Sequence, residues 1–257
     1  MKINTLKNKK IFTVITVTLN SDKTIKRTIK SVLRNYEYIK EYIVIDGLSK
    51  DNTLKILNSY RSQFLKKKIN FYLSSKKDSG IYDAMNKGIK KSTGKIISIL
   101  NSDDWYENNV FTLVLKYFQK NSKIQIIHGN LIIHKNNKKK KIFPKFGLNY
   151  FFWFGMTIFH PTFFVKADVY KKIIYEPNFK IAGDYNFLLQ TISKKINYFH
   201  LNKFLVNFQH GGASTNFVLK GIKEIHKIKI NAGYNFFLIW LSTLYYGLLT
   251  ILASLRP

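Results

Sequence analysis

Short apolar runs recur along the first half of the chain, and each is followed by a stretch with helical spacing. Ile11 to Leu19 is rich in Val, Ile and Thr and predicts a buried strand. Asp22 can cap a helix running to about Asn35. Glu41 to Asp46 is a second short strand, and Asp51 begins a helix through about Arg61. Ile69 to Leu73, a helix from Ile81 to Lys91, and Ile96 to Leu100 complete the series. Repeated strand–helix units imply parallel strands joined by right-handed crossovers. The expected class is α/β, a mostly parallel sheet flanked by helices.

After Glu107 the pattern changes. A helix from Val110 to Gln119 leads to apolar runs at Ile124–Ile127 and Leu131–Ile133. Asn136-Asn137 and the lysine run predict a hairpin turn before Ile142-Phe143. Tyr150 to Phe159 is aromatic and irregular. Asp184 opens a helix carrying Phe187, Leu188 and Ile192, followed by strand-like Ile196–Leu201 and Phe204–Phe208. No internal repeat is present, and this part reads as an addition to the first half. From Phe217 onward, Ile222, Ile225 and Ile228 interleave with Lys220, Lys223, Lys227 and Lys229, a basic amphipathic helix. The uncharged run Phe236 to Leu255 would extend roughly 30 Å as a helix, about one hydrocarbon thickness. Ser242, Tyr246, Thr250 and Ser254 put a polar stripe along it. The expected organisation is one domain over 1–216 and C-terminal helices over 217–257.

With 257 residues, 46% hydrophobic and 16% aromatic, the chain can bury a sizeable core. It has no cysteine, which excludes disulfides, cysteine–zinc sites and thiol catalysis. The basic Met1–Lys10 stretch precedes an apolar run too short for a secretory signal peptide. Net charge is +29, from 43 basic and 14 acidic residues. Such a surface attracts nucleic acid, anionic lipid or phosphorylated substrates. Lysine carries most of that charge, and the runs Lys66–Lys68 and Lys138–Lys141 read as solvated loop ends.

The chemistry gathers where strands should end. Val17-Thr18-Leu19-Asn20 closes the first, and Asp46-Gly47-Leu48-Ser49-Lys50-Asp51-Asn52-Thr53 the second. Asp78-Ser79-Gly80-Ile81-Tyr82-Asp83-Ala84-Met85-Asn86-Lys87-Gly88 follows the third, and Asn101-Ser102-Asp103-Asp104 closes the fourth. In open α/β sheets, ligands bind in the crevice outside the carboxyl ends of the strands. Mg²⁺ and Mn²⁺ take oxygen ligands, so one or two carboxylates plus diphosphate oxygens can complete a shell there. The plain alternative is that Asp103 caps a helix starting near Tyr106 while Asp104 is solvated. No pair of histidines has zinc-ligand spacing, and neither a P-loop nor Gly-x-Gly-x-x-Gly occurs, which argues against a zinc enzyme, a kinase or a dinucleotide enzyme.

These segments resemble those of family 2 glycosyltransferases of the GT-A fold, especially the colanic-acid type that builds bacterial surface polysaccharide. Asp46 to Thr53, Asp78 to Gly88 and Leu100 to Asp104 carry the likeness, which covers roughly residues 11 to 215. The resemblance implies a Rossmann-like sheet and inverting transfer of a hexosyl or N-acetylhexosaminyl group from a nucleotide sugar, most readily a UDP-sugar. It implies a divalent cation, Mn or Mg, held mainly by Asp103, since Asn101 stands where a strict Asp-x-Asp begins. Asp46 is implied to bind base or ribose, Thr18 and Asn20 to flank the base, and Asp83 and Asn86 to sit near ribose and phosphates. Asp104 is implied to contact the donor sugar or support the site. Asp184, in Ile181-Ala182-Gly183-Asp184-Tyr185, matches the late acidic motif that supplies the catalytic base. Structural alternatives stand beside these roles: a loop-capping Asp46, a first-turn Asp83 and an N-capping Asp184. The helix start at Tyr185 should favour an ionised Asp184 and hold activity to mildly acidic pH. His160 and His210 also fall in family-like segments, to contact phosphate or acceptor or to fill polar core positions.

The resemblance further implies a glycan or lipid-linked acceptor, and the C-terminal helices imply an anionic membrane surface as partner, at the cytoplasmic face of the bacterial inner membrane. A nucleic-acid partner is not expected, because Lys far outnumbers Arg and the aromatics lie in apolar strands. The rival class is a non-catalytic polyanion-binding protein. A true membrane span over Phe236–Leu255, and a helix packed on the domain, are alternatives for the C-terminus.

Overall fold

The computed structural model describes residues 10–144, 155–211 and 217–254, with side chains to Tyr245. In chain order the elements are β1 (Phe12–Thr18), α1 (Ile25–Arg34), β2 (Ile39–Asp46), α2 (Thr53–Ser59), α3 (Arg61–Lys66), β3 (Asn70–Ser75), α4 (Ile81–Lys91) and β4 (Ile96–Ile99). There follow β5 (Trp105–Tyr106), α5 (Val110–Lys120), β6 (Ile126–Lys135), β7 (Lys138–Ile142), β8 (Phe164–Lys166), α6 (Ala167–Tyr170), α7 (Gly183–Ser193), β9 (Tyr198–Gln209), α8 (Val218–Asn231) and α9 (Phe236–Ser254). The sheet runs β3-β2-β1-β4-β8-β6-β9-β5, with β7 on β6. Its first four strands are parallel, as the strand–helix units require. The second half adds antiparallel β8, β7 and β5, so the whole sheet is mixed.

β1 is buried along its whole length because both faces of the sheet are covered. Alternation along it feeds two cores. Phe12 and Val14 face Tyr42, Phe64, Phe111 and Phe164 on one side. Ile15 and Val17 face Tyr82, Met85, Tyr175 and Phe187 on the other. A third cluster, Phe179, Ala182, Tyr185 and Leu189 with Ile228, joins α8 to α7.

Several local expectations shift. Asp103 caps no helix: the chain enters β5, and α5 starts at Val110 after Asn109 at φ 59°. Asp22 does not cap α1, whose preceding residue Thr24 makes no side-chain cap bond. Asn136 and Asn137, at φ 48° and 59°, form the turn itself. Both central residues at positive φ suit a two-residue hairpin. The lysine run is therefore strand β7, its side chains exposed. Charged lysines on an edge also disfavour further strand pairing. The aromatic stretch 150–154 lies outside the described residues.

Candidate active site

Thr18, Asp46 and Ser75 pair side by side at the carboxyl ends of β1, β2 and β3. A cleft of about 950 Å³ opens beyond these ends. Thr18, Asn20, Asp78, Asn101, Asp103 and Asp184 line it, so residues following three strands, β1, β3 and β4, meet one from α7. A hollow of similar size, about 980 Å³, lies beside Arg61, Phe71 and Thr93 and carries none of the motif residues.

Of the residues singled out from sequence, Thr18, Asn20, Asp103 and Asp184 reach this cleft, and His160 lines it too. The hydroxyl of Thr18 is buried with no hydrogen-bond partner. Asn20 is exposed at φ 49°, and its Oδ1 accepts from Lys50 N at 2.8 Å. The other four turn away. Asp46 is fully buried; its carboxylate accepts from Leu48 N at 3.1 Å, Ser49 N at 3.0 Å, Ser75 Oγ at 2.6 Å and the Ser49 hydroxyl. These bonds make it a cap for its own loop. Asp83 accepts from Ser79 N at 2.9 Å and pairs with Lys87 at 2.9 Å, closing the first turn of α4. Asn86 makes a two-way amide pair with Tyr175, at 2.7 Å to its O and 3.0 Å from its N. Asp104 is fully buried and accepts from Gln209 N at 3.0 Å, so it supports the loop rather than facing the cleft.

Burial pushes the Asp104 carboxyl well up, and the charge of Asp103 pushes it further. Burial also raises Asp103, against the pull of Arg27. Arg27 donates to the Asp103 carbonyl at 3.1 Å and to Gln209 Oε1 at 3.2 Å, with its guanidinium 3.5 Å over the Trp105 ring. Two crowded carboxyls, of which Asp103 is at the cleft wall, are short of positive charge. Asn101 Oδ1 beside them is buried without a partner. That orphaned oxygen and the Asp103 carboxylate are hard donors that fit Mg²⁺ or Mn²⁺. Among the described residues no group of three or more His, Cys, Asp or Glu could hold a metal by itself, so a diphosphate would have to supply part of the shell.

Asp184 stands half-buried in the first turn of α7. Its Oδ1 accepts from Tyr185 N at 2.8 Å and from the Tyr82 hydroxyl at 3.3 Å. It does not cap the helix; Ala182 holds that position, with no side-chain cap bond. Burial draws its carboxyl up to about 6, with a smaller upward push from Glu224, and outweighs the hydrogen bonds that favour the charge. The expectation of an easily ionised Asp184 is corrected accordingly. Gly183 is required here because a Cβ would lie 2.7 Å from the Tyr82 ring. His160 pairs its Nε2 with the Tyr175 hydroxyl and is buried, which lowers its pKa to about 4, so it serves mainly as a core group.

Three cleft residues escaped the sequence reading. Asp78 heads the Asp-Ser-Gly-Ile-Tyr motif and accepts from Gly80 N at 2.9 Å, with its second oxygen beside Gly47. Its place at the head of that motif was the available signal. Tyr82 reaches Asp184 from α4. Lys180 donates to the carbonyls of Ser79 and Pro177, tying the Asp78 loop to the loop before α7. Nothing in the local sequence marks either contact.

A family model described as glycosyl transferase family 2 matches residues 13–174. The chain belongs to that family. Among family 2 relatives, a PGL/p-HBAD biosynthesis glycosyltransferase of Mycobacterium tuberculosis is 26% identical over 215 residues, spanning 82% of this chain and 81% of that protein. A glycosyltransferase of Methanocaldococcus jannaschii is 24% identical over 216 residues, 79% and 71% of the two chains. The crystal structure of S. aureus TarS 1–349 in complex with UDP-GlcNAc superposes with a TM-score of 0.69 at 18% identity, covering 92% of this chain and 71% of that one. That likeness establishes the Rossmann-like GT-A fold. Family 2 membership makes this chain a glycosyltransferase and displaces the polyanion-binding alternative.

Proposed function

We propose that this glycosyltransferase moves a hexosyl or N-acetylhexosaminyl group from a UDP-sugar to a hydroxyl of a glycan or lipid-linked acceptor, with inversion, in bacterial surface polysaccharide synthesis. The single observation that carries it is one cleft holding Asp78, Asp103 and Asp184 at the strand ends. The donor assignment draws on TarS, whose structure holds UDP-GlcNAc.

Asp78 offers a carboxylate oxygen to the imide N–H of the base, the role sequence gave to Asp46. Thr18 and Asn20 flank the nucleoside. Asp103 and Asn101 Oδ1 would hold a divalent cation against the diphosphate. A bound cation there supplies Lewis-acid neutralisation of the leaving nucleoside diphosphate. Asp184 takes the proton of the acceptor hydroxyl as its oxygen bonds to the anomeric carbon. The bond from that carbon to the diphosphate breaks, and its electron pair leaves with the diphosphate. A single displacement of this kind inverts the anomeric centre. A carboxyl held near 6 is charged at neutral pH yet basic enough to accept that proton.

Among the described residues no helix is long and apolar enough to cross a membrane. Phe236, Phe237, Trp240, Leu241, Leu244 and Tyr245 are exposed on α9. Ser242 instead is buried, accepting from Lys229 Nζ of α8 at 2.7 Å, so at this point the polar stripe meets protein. The side chains of Tyr246, Thr250 and Ser254 lie outside the described residues. The exposed apolar face beside a basic helix supports peripheral seating on an anionic membrane at the cytoplasmic face, near a lipid-linked acceptor.

The test is a thermal-shift and turnover screen over UDP-, GDP- and dTDP-sugars, with Mn²⁺ and with EDTA. A UDP-sugar should stabilise the protein and turn over only with the cation. Preference for another nucleotide would overturn the donor assignment, and equal turnover in EDTA the metal role. Flotation with vesicles containing anionic lipid should carry the chain upward, and protein remaining at the bottom would refute the membrane partner.

A further inference from the structure

The C-terminal helix α8 reaches back into the site through one side chain. Glu224 accepts from three consecutive backbone amides ahead of α7. Lys180 N donates to its two oxygens at 2.9 and 3.0 Å, Ile181 N at 2.8 Å and Ala182 N at 2.9 Å. Those amides belong to the loop that delivers Asp184. The helix has no side-chain cap of its own at Ala182. Glu224 thus gathers the amides of the three residues leading into α7 and sets a negative oxygen close to the helix N-terminus. Hydrogen bonds to a charged acceptor are about twice as strong as neutral ones.

The opposite side of the same loop is gripped by α4. The Tyr82 hydroxyl donates to Ile181 O at 2.7 Å and to Asp184 Oδ1 at 3.3 Å. α8 comes close enough because Gly221 faces Ile181, where a Cβ would lie 3.2 Å from its Cγ2. Ile228 and Ile225 anchor α8 against Phe179, Tyr185 and Leu189.

We propose that Glu224 is a positioning residue for sugar transfer, fixing the Lys180–Ala182 loop and thereby the reach of Asp184 into the cleft. The inference rests on Asp184 being the base. It makes α8 part of the transfer machinery, whatever else the C-terminal helices bind.

Two consequences separate positioning from mere support. A misplaced base slows the chemical step without weakening donor binding. The groups facing Asp184 are the phenols of Tyr82 on α4 and of Tyr175 ahead of α7, and the carboxylate of Glu224 on α8. Glu224 pushes the Asp184 carboxyl up, so replacing it with a neutral side chain should ease ionisation of Asp184.

The experiment uses full-length Glu224→Ala, Glu224→Gln and Glu224→Asp, with Asp184→Asn in parallel. Donor KM, kcat and the pH profile of kcat are read for each folded variant. For Glu224→Ala, kcat should fall about 10²-fold, the scale of a 1 Å misplacement, with donor KM within about twofold. Glu224→Gln keeps the shape but not the charge, so it should lose less and move the acidic limb of the profile to lower pH. Glu224→Asp, which restores the charge, should recover part of kcat. Should Glu224→Ala fail to fold, the Gln and Asp variants decide. Wild-type kcat and an unmoved acidic limb in the Gln variant, with Asp184→Asn inactive, would overturn the role of Glu224 alone. Near-normal kcat in Asp184→Asn would instead remove the base on which the inference rests.

Discussion

Asp184→Asn should separate activity from stability in opposite directions. The side chain keeps its shape, and an amide oxygen can still accept from Tyr185 N and the Tyr82 hydroxyl. What it loses is the proton-accepting form. General-base loss costs about 10²–10⁴-fold in rate. The stability effect follows from the carboxyl standing at about 6 against an ordinary aspartate value of 3.8. Here the folded pKa lies above the unfolded one, so the fold prefers the neutral acid. The resulting cost is absent below about pH 4, grows through the window up to 6, and is fully present above it. At about 1.4 kcal/mol per unit, it reaches at most about 3 kcal/mol, less whatever solvent in the cleft relieves. The neutral amide avoids it. Asp184→Asn should therefore melt higher than wild type at pH 8, by about 2–4 °C for each kcal/mol recovered. The gap should close as pH falls through 6 towards 4. Thermal melts across pH 4–8 beside kcat measurements provide the assay. Wild-type kcat should itself fall as pH drops through about 6. A variant that melts lower than wild type by the same margin at every pH would refute the raised carboxyl.

Asp103→Asn should abolish cation-dependent transfer without lowering Tm, because it relieves Asp104 of a neighbouring acid, and isothermal titration of Mn²⁺ with UDP present should show the lost affinity. Thr18→Val removes a buried hydroxyl that has no partner in the protein. The variant should be equal or greater in Tm, while a rise in donor KM would show that the donor is what that hydroxyl serves. Asn86→Ala leaves the Tyr175 N–H and C=O without their partner. Chemical denaturation should report a loss of about 1–3 kcal/mol, with donor KM nearly unchanged; a large rise in KM instead would restore the donor-contact role read from sequence.

The α/β class, the parallel first half and the strand ends where chemistry gathers were legible along the chain. Those features are local: a run of Val, Ile and Thr has a period, and an Asn-Asn turn has its own backbone preference. The family segments then fixed the kind of reaction. Which carboxylates would face the cleft was decided only in three dimensions. Asp46, Asp83, Asn86 and Asp104 sit in the same motifs as the cleft residues, but nearby backbone amides and other side chains claim them. Asp104 meets Gln209, Asn86 meets Tyr175, and Glu224 meets the loop before α7, contacts between segments far apart in the chain. The pKa of Asp184 belongs to the same class. A helix start favours its charge, yet the desolvation that reverses this comes from packing against α4 and α8, and no spacing along the chain records it.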